Sequence, residues 1–272
     1  ILIEDQRKLH IGIATNMLDY KLDYSHQNGQ DITNRITKEL KKRGYRVTLF
    51  DFNNISKTYT DLESSSVDLI FNLSEGINNK ESLKPQAAAI LESLNIPFTG
   101  TNSLNLALCR DKIRMKKLLT YHEIPTPKWD YAYTINDTIS DELKYPLIVK
   151  PGNAYNSLGI TNSSVVTNKI QLQKQLKRII EDMHRPALVE EYIDGEEYSV
   201  SILGTDDEDL RVLPLARSVF KNMPKGTWNI YTEKAKQKPM GEHKNIIVQN
   251  PLKNVSKKLE SLVTEIALDT YK

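Results

Sequence analysis

From residue 9 to residue 100, strand-sized apolar runs alternate with stretches of helical period, and few architectures accommodate that rhythm. Residues 9–14 read as a buried strand. After Asp31, the spacing of Ile32, Ile36 and Leu40 predicts a helix, with Gly44 as its C-cap and Lys41-Lys42-Arg43 as cations in its last turn. Residues 45–50 and 67–73 read as the next strands, Pro85 opens a helix carrying Ala87, Ala88, Ile90, Leu91 and Leu94, and residues 96–100 return as a short strand. Such an order predicts a mostly parallel sheet covered by helices, a Rossmann-like lobe. No GxGxxG turn follows the first strand, which argues against a dinucleotide site there.

Composition narrows the class. The chain has 272 residues, 37 basic against 35 acidic, a formal charge of +2, with 26% charged and 39% hydrophobic residues. These are values of an ordinary globular protein, neither disordered nor fibrous. No apolar run approaches the roughly 20 residues that span a bilayer, so no membrane partner is expected. Glu4, Asp5, Arg7 and Lys8 near the start are unlike a secretory leader. A lone cysteine, Cys109, has no internal disulfide partner and is expected as a small buried residue, which places the protein in the reducing cytoplasm. The basic clusters are too short for a nucleic-acid footprint. The histidines, His243 among them, are dispersed without metal-ligand spacing, so no metal ligands are assigned.

The middle of the chain changes style. A helix from about Asp111 to Tyr121 is followed by Ile124-Pro125-Thr126-Pro127, an extended crossing. Residues 145–150 and 160–166 read as two strands joined by a loop of small and polar residues. Asn168 is a good N-cap for a helix with Leu172, Leu176, Ile179, Ile180 and Met183 on one face. Strands at 187–193, 197–203 and 210–215 follow, with Asp206-Asp207-Glu208-Asp209 as a solvated hairpin tip and an amphipathic helix closing the chain. Three signals carry chemistry. The loop from Lys150 to Gly159 presents backbone N–H groups with little steric cover, which suits phosphate oxygens; the plain alternative is a hairpin tip. Glu190 to Glu197 offers carboxylates after an apolar strand, where an adenine amino group or ribose hydroxyls would find acceptors; the plain alternative is a charged turn. Lys112, Lys150 and Lys236 form a constellation only if the fold makes them converge.

The order of Asn72-Leu73-Ser74-Glu75-Gly76, Ile96-Pro97-Phe98-Thr99-Gly100-Thr101, Asp111-Lys112, Ile124-Pro125-Thr126-Pro127, Val149-Lys150-Pro151, Ser157-Leu158-Gly159-Ile160 and the stretch from Val189 to Glu197 resembles that of D-alanine–D-alanine ligases, carboxylate–amine ligases of the ATP-grasp superfamily. The resemblance runs from Ile11 to about Tyr271. It implies an α/β ATP-grasp fold: a Rossmann-like N-terminal lobe at residues 1–104, a central lobe at 105–186 and a C-terminal lobe at 187–272, the last two α+β and enclosing a nucleotide cleft. It also implies ATP and Mg²⁺. Lys112 and Lys150 match the lysines on the α- and β-phosphates, Ile148 the adenine pocket, and Ser157 and Gly159 the loop over the phosphates. Glu190, Tyr192 and Ile193 match the adenine hinge, and Glu197 the ribose carboxylate. Lys236 matches the lysine near the transferred phosphoryl group, with Lys234 as the alternative; Ser157 and Asn156 belong to the same catalytic neighbourhood.

Departures accompany the match. Asn156 stands where the family carries a serine. The Mg²⁺-binding carboxylates of the family are expected beyond Lys272, in a strand this sequence does not include. No clear counterpart of the substrate-binding glutamate follows the first strand; Asp19, Asp23 and Asp31 are candidates, and Glu75 is the acidic residue that falls on a motif. The implied activity is ADP-forming ligation of two amino acids or small peptides through an acyl phosphate. The rival is a non-catalytic ATP-binding or regulatory protein. A homodimer is compatible with the sequence, which has no interface pattern sharp enough to fix an oligomeric state.

Overall fold

The computed structural model describes residues 9–17, 24–205, 209–237, 245–252 and 255–272, with only the backbone described at residues 24–30 and 237. The expectations placed on Glu4, Asp5, Arg7, Lys8, Asp19, Asp23, Asp206-Asp207-Glu208 and His243 lie outside these residues. Two compact units divide between Cys109 and Arg110.

The first unit contains β1 (His10–Thr15), α1 (Tyr24–Lys42), β2 (Arg46–Asp51), α2 (Ile55–Glu63), β3 (Leu69–Asn72), α3 (Lys84–Ser93) and most of α4 (Ser103–Arg110). β1 pairs in parallel with β2 on one side and β3 on the other, and Phe98 adds a parallel bridge to Ile70. All of β1 is buried, which is why it reads as a continuous apolar run. Phe50, Phe52, Leu62, Ile70 and Leu91 form the core. α1 ends where Gly44 adopts φ +90, and the Tyr45 N–H donates to the Leu40 carbonyl at 3.2 Å, the left-handed cap that glycine permits. Its inner face departs from expectation at one position. Ile32 is exposed and Thr33 is buried, because the Thr33 hydroxyl meets that of Thr15 at 2.9 Å. Cys109 is exposed rather than buried, on a helix with no buried residue.

The second unit contains α5 (Lys112–Tyr121), β4 (Trp129–Ala132), β5 (Leu147–Pro151), β6 (Val165–Val166), α6 (Lys169–Lys177), β7 (Ala187–Glu191), β8 (Glu197–Ser199), β9 (Ile202–Leu203), β10 (Arg211–Val212), β11 (Ala216–Phe220), α7 (Glu233–Gln237), β12 (Ile246–Gln249) and α8 (Lys257–Tyr271). Antiparallel pairing orders one sheet β4-β7-β5-β6 and another β12-β11-β8. Ala187–Glu191, the first strand of the segment assigned by sequence to the last lobe, thus sits inside the sheet of the central segment. Of the strand expected at 160–166 only β6 forms, because Thr161 and Ser164 exchange side-chain and backbone hydrogen bonds that wind Asn162–Ser164 into a 3-10 turn. Asn168 caps α6 by accepting from the Gln171 N–H at 3.0 Å, and Leu172, Leu176 and Ile179 pack against Leu147, Val149, Ala187 and Val189. Among the described residues no helix is long and apolar enough to cross a membrane.

Candidate functional site

Strand alternation builds one face of the site. Leu147, Val149, Ala187 and Val189 enter the core, so Ile148, Lys150, Leu188 and Glu190 project from the opposite side of the sheet. Register sets Ile148 directly across from Glu190 and Lys150 across from Leu188. α5 lies at this face. The Asp111 carboxylate caps it, accepting from the Arg114 N–H at 3.0 Å. Lys112 and Lys116, four residues apart, share one side of the helix. The helix start is fixed to the end of β5. The Lys112 N–H donates to the Gly152 carbonyl at 2.7 Å, and the Gly152 N–H donates to the Pro186 carbonyl at 2.8 Å. A Cβ on Gly152 would come within 2.8 Å of the Ile113 Cδ1, so this close approach needs glycine. The Lys112 ammonium donates to the Ala154 carbonyl.

Glu190 is 3% exposed and ion-paired on both oxygens, Oε1 with Lys116 and Oε2 with Lys150. Burial alone would raise its carboxyl, but Lys150 and Lys116 more than offset that and hold it below the usual range. Lys116 is lowered by desolvation despite Glu190, and its ammonium also donates to the Thr126 hydroxyl. Burial pushes Lys112 down to about 8; the Lys150 charge adds to this, Glu190 opposes it, and Arg185 and Lys236 contribute further.

The loop after β5 is pinned at both ends. Arg185 Nη1 donates to the Asn153 carbonyl at 3.0 Å and to its Oδ1 at 3.1 Å. The Gly159 N–H donates to Glu233 Oε2 at 2.8 Å, while its carbonyl accepts from Arg178 Nη1 at 2.9 Å. Between these anchors Asn156 and Ser157 hold left-handed φ of 55 and 57, with Asn156 exposed and Ser157 half-buried. Gly159, at φ +73, is buried, and a Cβ there would lie 2.6 Å from Met183 Cε.

Beyond β7 the Tyr192 N–H donates to the Pro146 carbonyl at 2.9 Å, and its ring meets Trp228 edge-on at 5.1 Å. Ile193 is left 66% exposed. Glu197 starts β8; desolvation raises its carboxyl, with the charges of Lys236 and Lys150 pulling the other way. Lys236, on α7, stands 5.9 Å from the Tyr231 ring centroid, and its charge reaches both Glu197 and Lys112.

The fold therefore brings Lys112, Lys150, Glu190, Glu197 and Lys236 within electrostatic reach, with Ile148 on the same sheet face and Asn156, Ser157 and Gly159 on the adjoining loop. Glu75 belongs to the first unit. It is ion-paired with Lys84 at 3.0 Å, and its N–H donates to Asn16 Oδ1 at 2.6 Å in a loop cluster at the carboxyl ends of the parallel strands. Spacing pointed to none of Lys116, Arg178, Arg185 and Glu233; for Lys116 its position one helical turn after Lys112 was the available signal. Lys112, Lys116, Lys150, Arg185 and Lys236 outnumber Glu190 and Glu197, which leaves a shelf of excess positive charge suited to a polyanion. Among the described residues no group of three or more His, Cys, Asp or Glu gathers as a metal site.

The family model described as D-ala D-ala ligase C-terminus matches residues 117–272. A D-alanine–D-alanine ligase of Carboxydothermus hydrogenoformans is 30% identical, the match covering 97% of this chain and 79% of the relative. The uncharacterized protein y4sG of Sinorhizobium fredii is 32% identical over 75% of this chain and 56% of its own length. The D-alanine–D-alanine ligase A of Bacillus cereus is 32% identical over 62% of this chain and 54% of its own. The chain thus spans little more than half the length of two of these three relatives. Among solved structures, the ATP complex of D-alanine–D-alanine ligase from Bacillus anthracis superposes with TM-score 0.69 at 22% identity, covering 97% of this chain and 77% of that one. D-alanyl-alanine synthetase A from Vibrio cholerae gives 0.70 at 17% identity, covering 97% and 80%. These likenesses give the fold, and with the matched family model and the relative aligned over 97% of this chain they show that the chain belongs to the D-alanine–D-alanine ligase family of ATP-grasp proteins.

Proposed function

We propose that this chain is an ADP-forming carboxylate–amine ligase that joins two amino acids or small peptides. The observation that carries the reading is the meeting of Lys112, Lys150 and Lys236, from three separate segments, around Glu190 and Glu197. A substrate carboxylate is a poor electrophile, and transferring a phosphoryl group to it brings two anions together, so cations must line the place of transfer. Lys112 and Lys150 take the α- and β-phosphates. Lys236 stands beside the transferred phosphoryl group, and Asn156, Ser157 and Gly159 supply the loop that closes over it. Ile148 lines the adenine pocket, Glu190 and the backbone at Tyr192 and Ile193 meet the adenine edge, and Glu197 accepts from the ribose hydroxyls. Glu75 contacts the amino-acid substrate. An amine then attacks the acyl phosphate and phosphate leaves; excluding water from the closed site protects that intermediate from hydrolysis.

Mg²⁺ is the usual companion of a bound triphosphate. The described residues provide no carboxylate cluster to hold it, so the phosphate contacts above rest on the lysines and no role is routed through a metal. In this reading the protein works in the cytoplasm on small molecules, without nucleic acid or membrane, and a homodimer is the assembly to look for by light scattering. The central and C-terminal lobes at 105–186 and 187–272 remain part of the proposal. Phosphate release from ATP, measured across a panel of D- and L-amino acids with mass spectrometry of the products, tests the activity; the relatives' names make D-alanine the first candidate. Amino-acid-dependent release with a dipeptide product is expected. ATP binding without stimulation by any pair would make the protein a nucleotide binder instead.

A further inference from the structure

The two lysines on Glu190 are not equivalent. The Lys116 side chain is 9% exposed, against 23% for that of Lys150. Lys116 is also held from its far side by the Thr126 hydroxyl, and Thr126 lies between Pro125 and Pro127, whose rings restrict the backbone there. Lys150 sits at the end of β5 beside the loop and the other site cations. One side chain is nearly enclosed, and the other is partly open to solvent. A buried carboxylate needs a counter-charge at all times, since leaving it unpaired is strongly unfavourable. If Lys150 were its only partner, Lys150 would be unable to turn to a phosphate without stranding Glu190.

We propose that Lys116 is a positioning residue that serves as the permanent counter-ion of Glu190, so that Lys150 is exchangeable and can pass from the Glu190 Oε2 to a nucleotide phosphate. The inference rests on the ligase reading above for the identity of the ligand. The exchange frees Oε2 to accept a hydrogen bond from the base while Lys116 keeps the carboxylate ionised and aimed. The other charged groups around the site, Lys112, Arg185, Lys236 and Glu197, are common to every variant below and cancel from the comparison.

Calorimetric binding of purine riboside 5′-triphosphate tests it, because that ligand offers the phosphates without the 6-amino group and so removes any direct contribution from Glu190. Lys116→Met is expected to weaken binding at least about tenfold, as the ligand must now compete with Glu190 for Lys150. Binding to this variant should take up about one proton more than binding to the unaltered protein, read from titrations in buffers of different ionisation enthalpy, as Glu190 is neutralised when Lys150 leaves. The double variant Lys116→Met with Glu190→Gln, in which no charge needs a partner, should recover most of the affinity and return the proton uptake to that of the unaltered protein. Thr126→Val, which removes the far-side anchor and preserves shape, should give a smaller loss of the same kind, and serves if Lys116→Met does not fold. Equal losses in the single and double variants, with no change in proton uptake, would overturn the exchange while leaving nucleotide binding intact. Failure of the unaltered protein to bind any purine triphosphate would overturn the ligase reading and the exchange with it.

Discussion

The two faces of the sheet β4-β7-β5-β6 are made from alternate residues of the same strands and obey opposite rules. On the α6 side, Leu147, Val149, Ala187 and Val189 are essentially inaccessible and meet Leu172, Leu176 and Ile179. Their contribution scales with apolar area removed from water and with how completely the space is filled. On the α5 side, the next residues along, Ile148, Lys150, Leu188 and Glu190, put a buried carboxylate with its two lysines and a half-buried isoleucine where a core would otherwise form. A hydrophobic replacement of similar volume there would serve folding at least as well. The charged face is therefore better explained by what it holds than by the stability it confers. Strand period places chemistry and packing one residue apart, and a substitution on one face should leave the other's observable nearly unchanged.

That separation can be broken in two ways. Leu176 is fully buried in the α6 face, and Leu176→Ala should lower unfolding free energy by about 2–5 kcal/mol. ATP affinity per folded molecule should stay within about twofold. Denaturant unfolding and calorimetry on the same preparation check both, and a large fall in affinity would mean that the faces are mechanically coupled. Lys150→Ala should do the reverse. Loss of a charge-assisted contact to phosphate weakens ATP binding by about a hundredfold, while Lys116 remains to pair Glu190 and the melting temperature moves less than in Leu176→Ala. Lys234→Ala, at an exposed position on the same helix as Lys236, should change ATP affinity by no more than about twofold. Equal losses for Lys150→Ala and Lys234→Ala would remove the phosphate assignment.

How much of this was legible in the sequence follows the same division. Features fixed by local chemistry were readable: the Gly44 cap, the Asn168 cap, and the face formed by Leu172, Leu176 and Ile179. The parallel first sheet was readable from the apolar runs of β1 and β3 and the alternation of β2, whereas α2, between β2 and β3, was not read. The burial of Thr33 in place of Ile32 was not, since it depends on the Thr15 hydroxyl, eighteen residues away. Cys109 shows the limit of residue-type preference, for it is exposed on a helix that has no buried residue. At the site, Lys112, Lys150 and Glu190 stand on recognisable motifs. The partnership of Glu190 with Lys116 needs the β5–β7 register and the seating of α5, which no local pattern encodes. The same holds for Arg178, Arg185 and Glu233, which hold the loop largely through backbone atoms that any sequence would supply, with the Asn153 side chain as a further acceptor for Arg185.

A further effect, and the one that separates the faces most cleanly, is a pH dependence that has opposite signs for folding and for binding. Lys112 is pushed down to about 8 from 10.5, first by burial and then by Lys150. Between these values the unfolded chain keeps a proton that the folded chain has released, so this group makes stability rise with pH across that window. A bound triphosphate surrounds the same ammonium with negative charge and favours its protonated form, so binding above about pH 8 must take up the proton and grows weaker as pH rises. From about pH 7.5 to about pH 9 the apparent ATP affinity should fall about eightfold to tenfold, as expected for one group with that value. Lys112→Met should bind more weakly throughout and show a flat profile over the same range. A profile in Lys112→Met that still falls would assign the titration to another group on the charged face. Leu176→Ala, on the opposite face, should keep the slope of the unaltered protein.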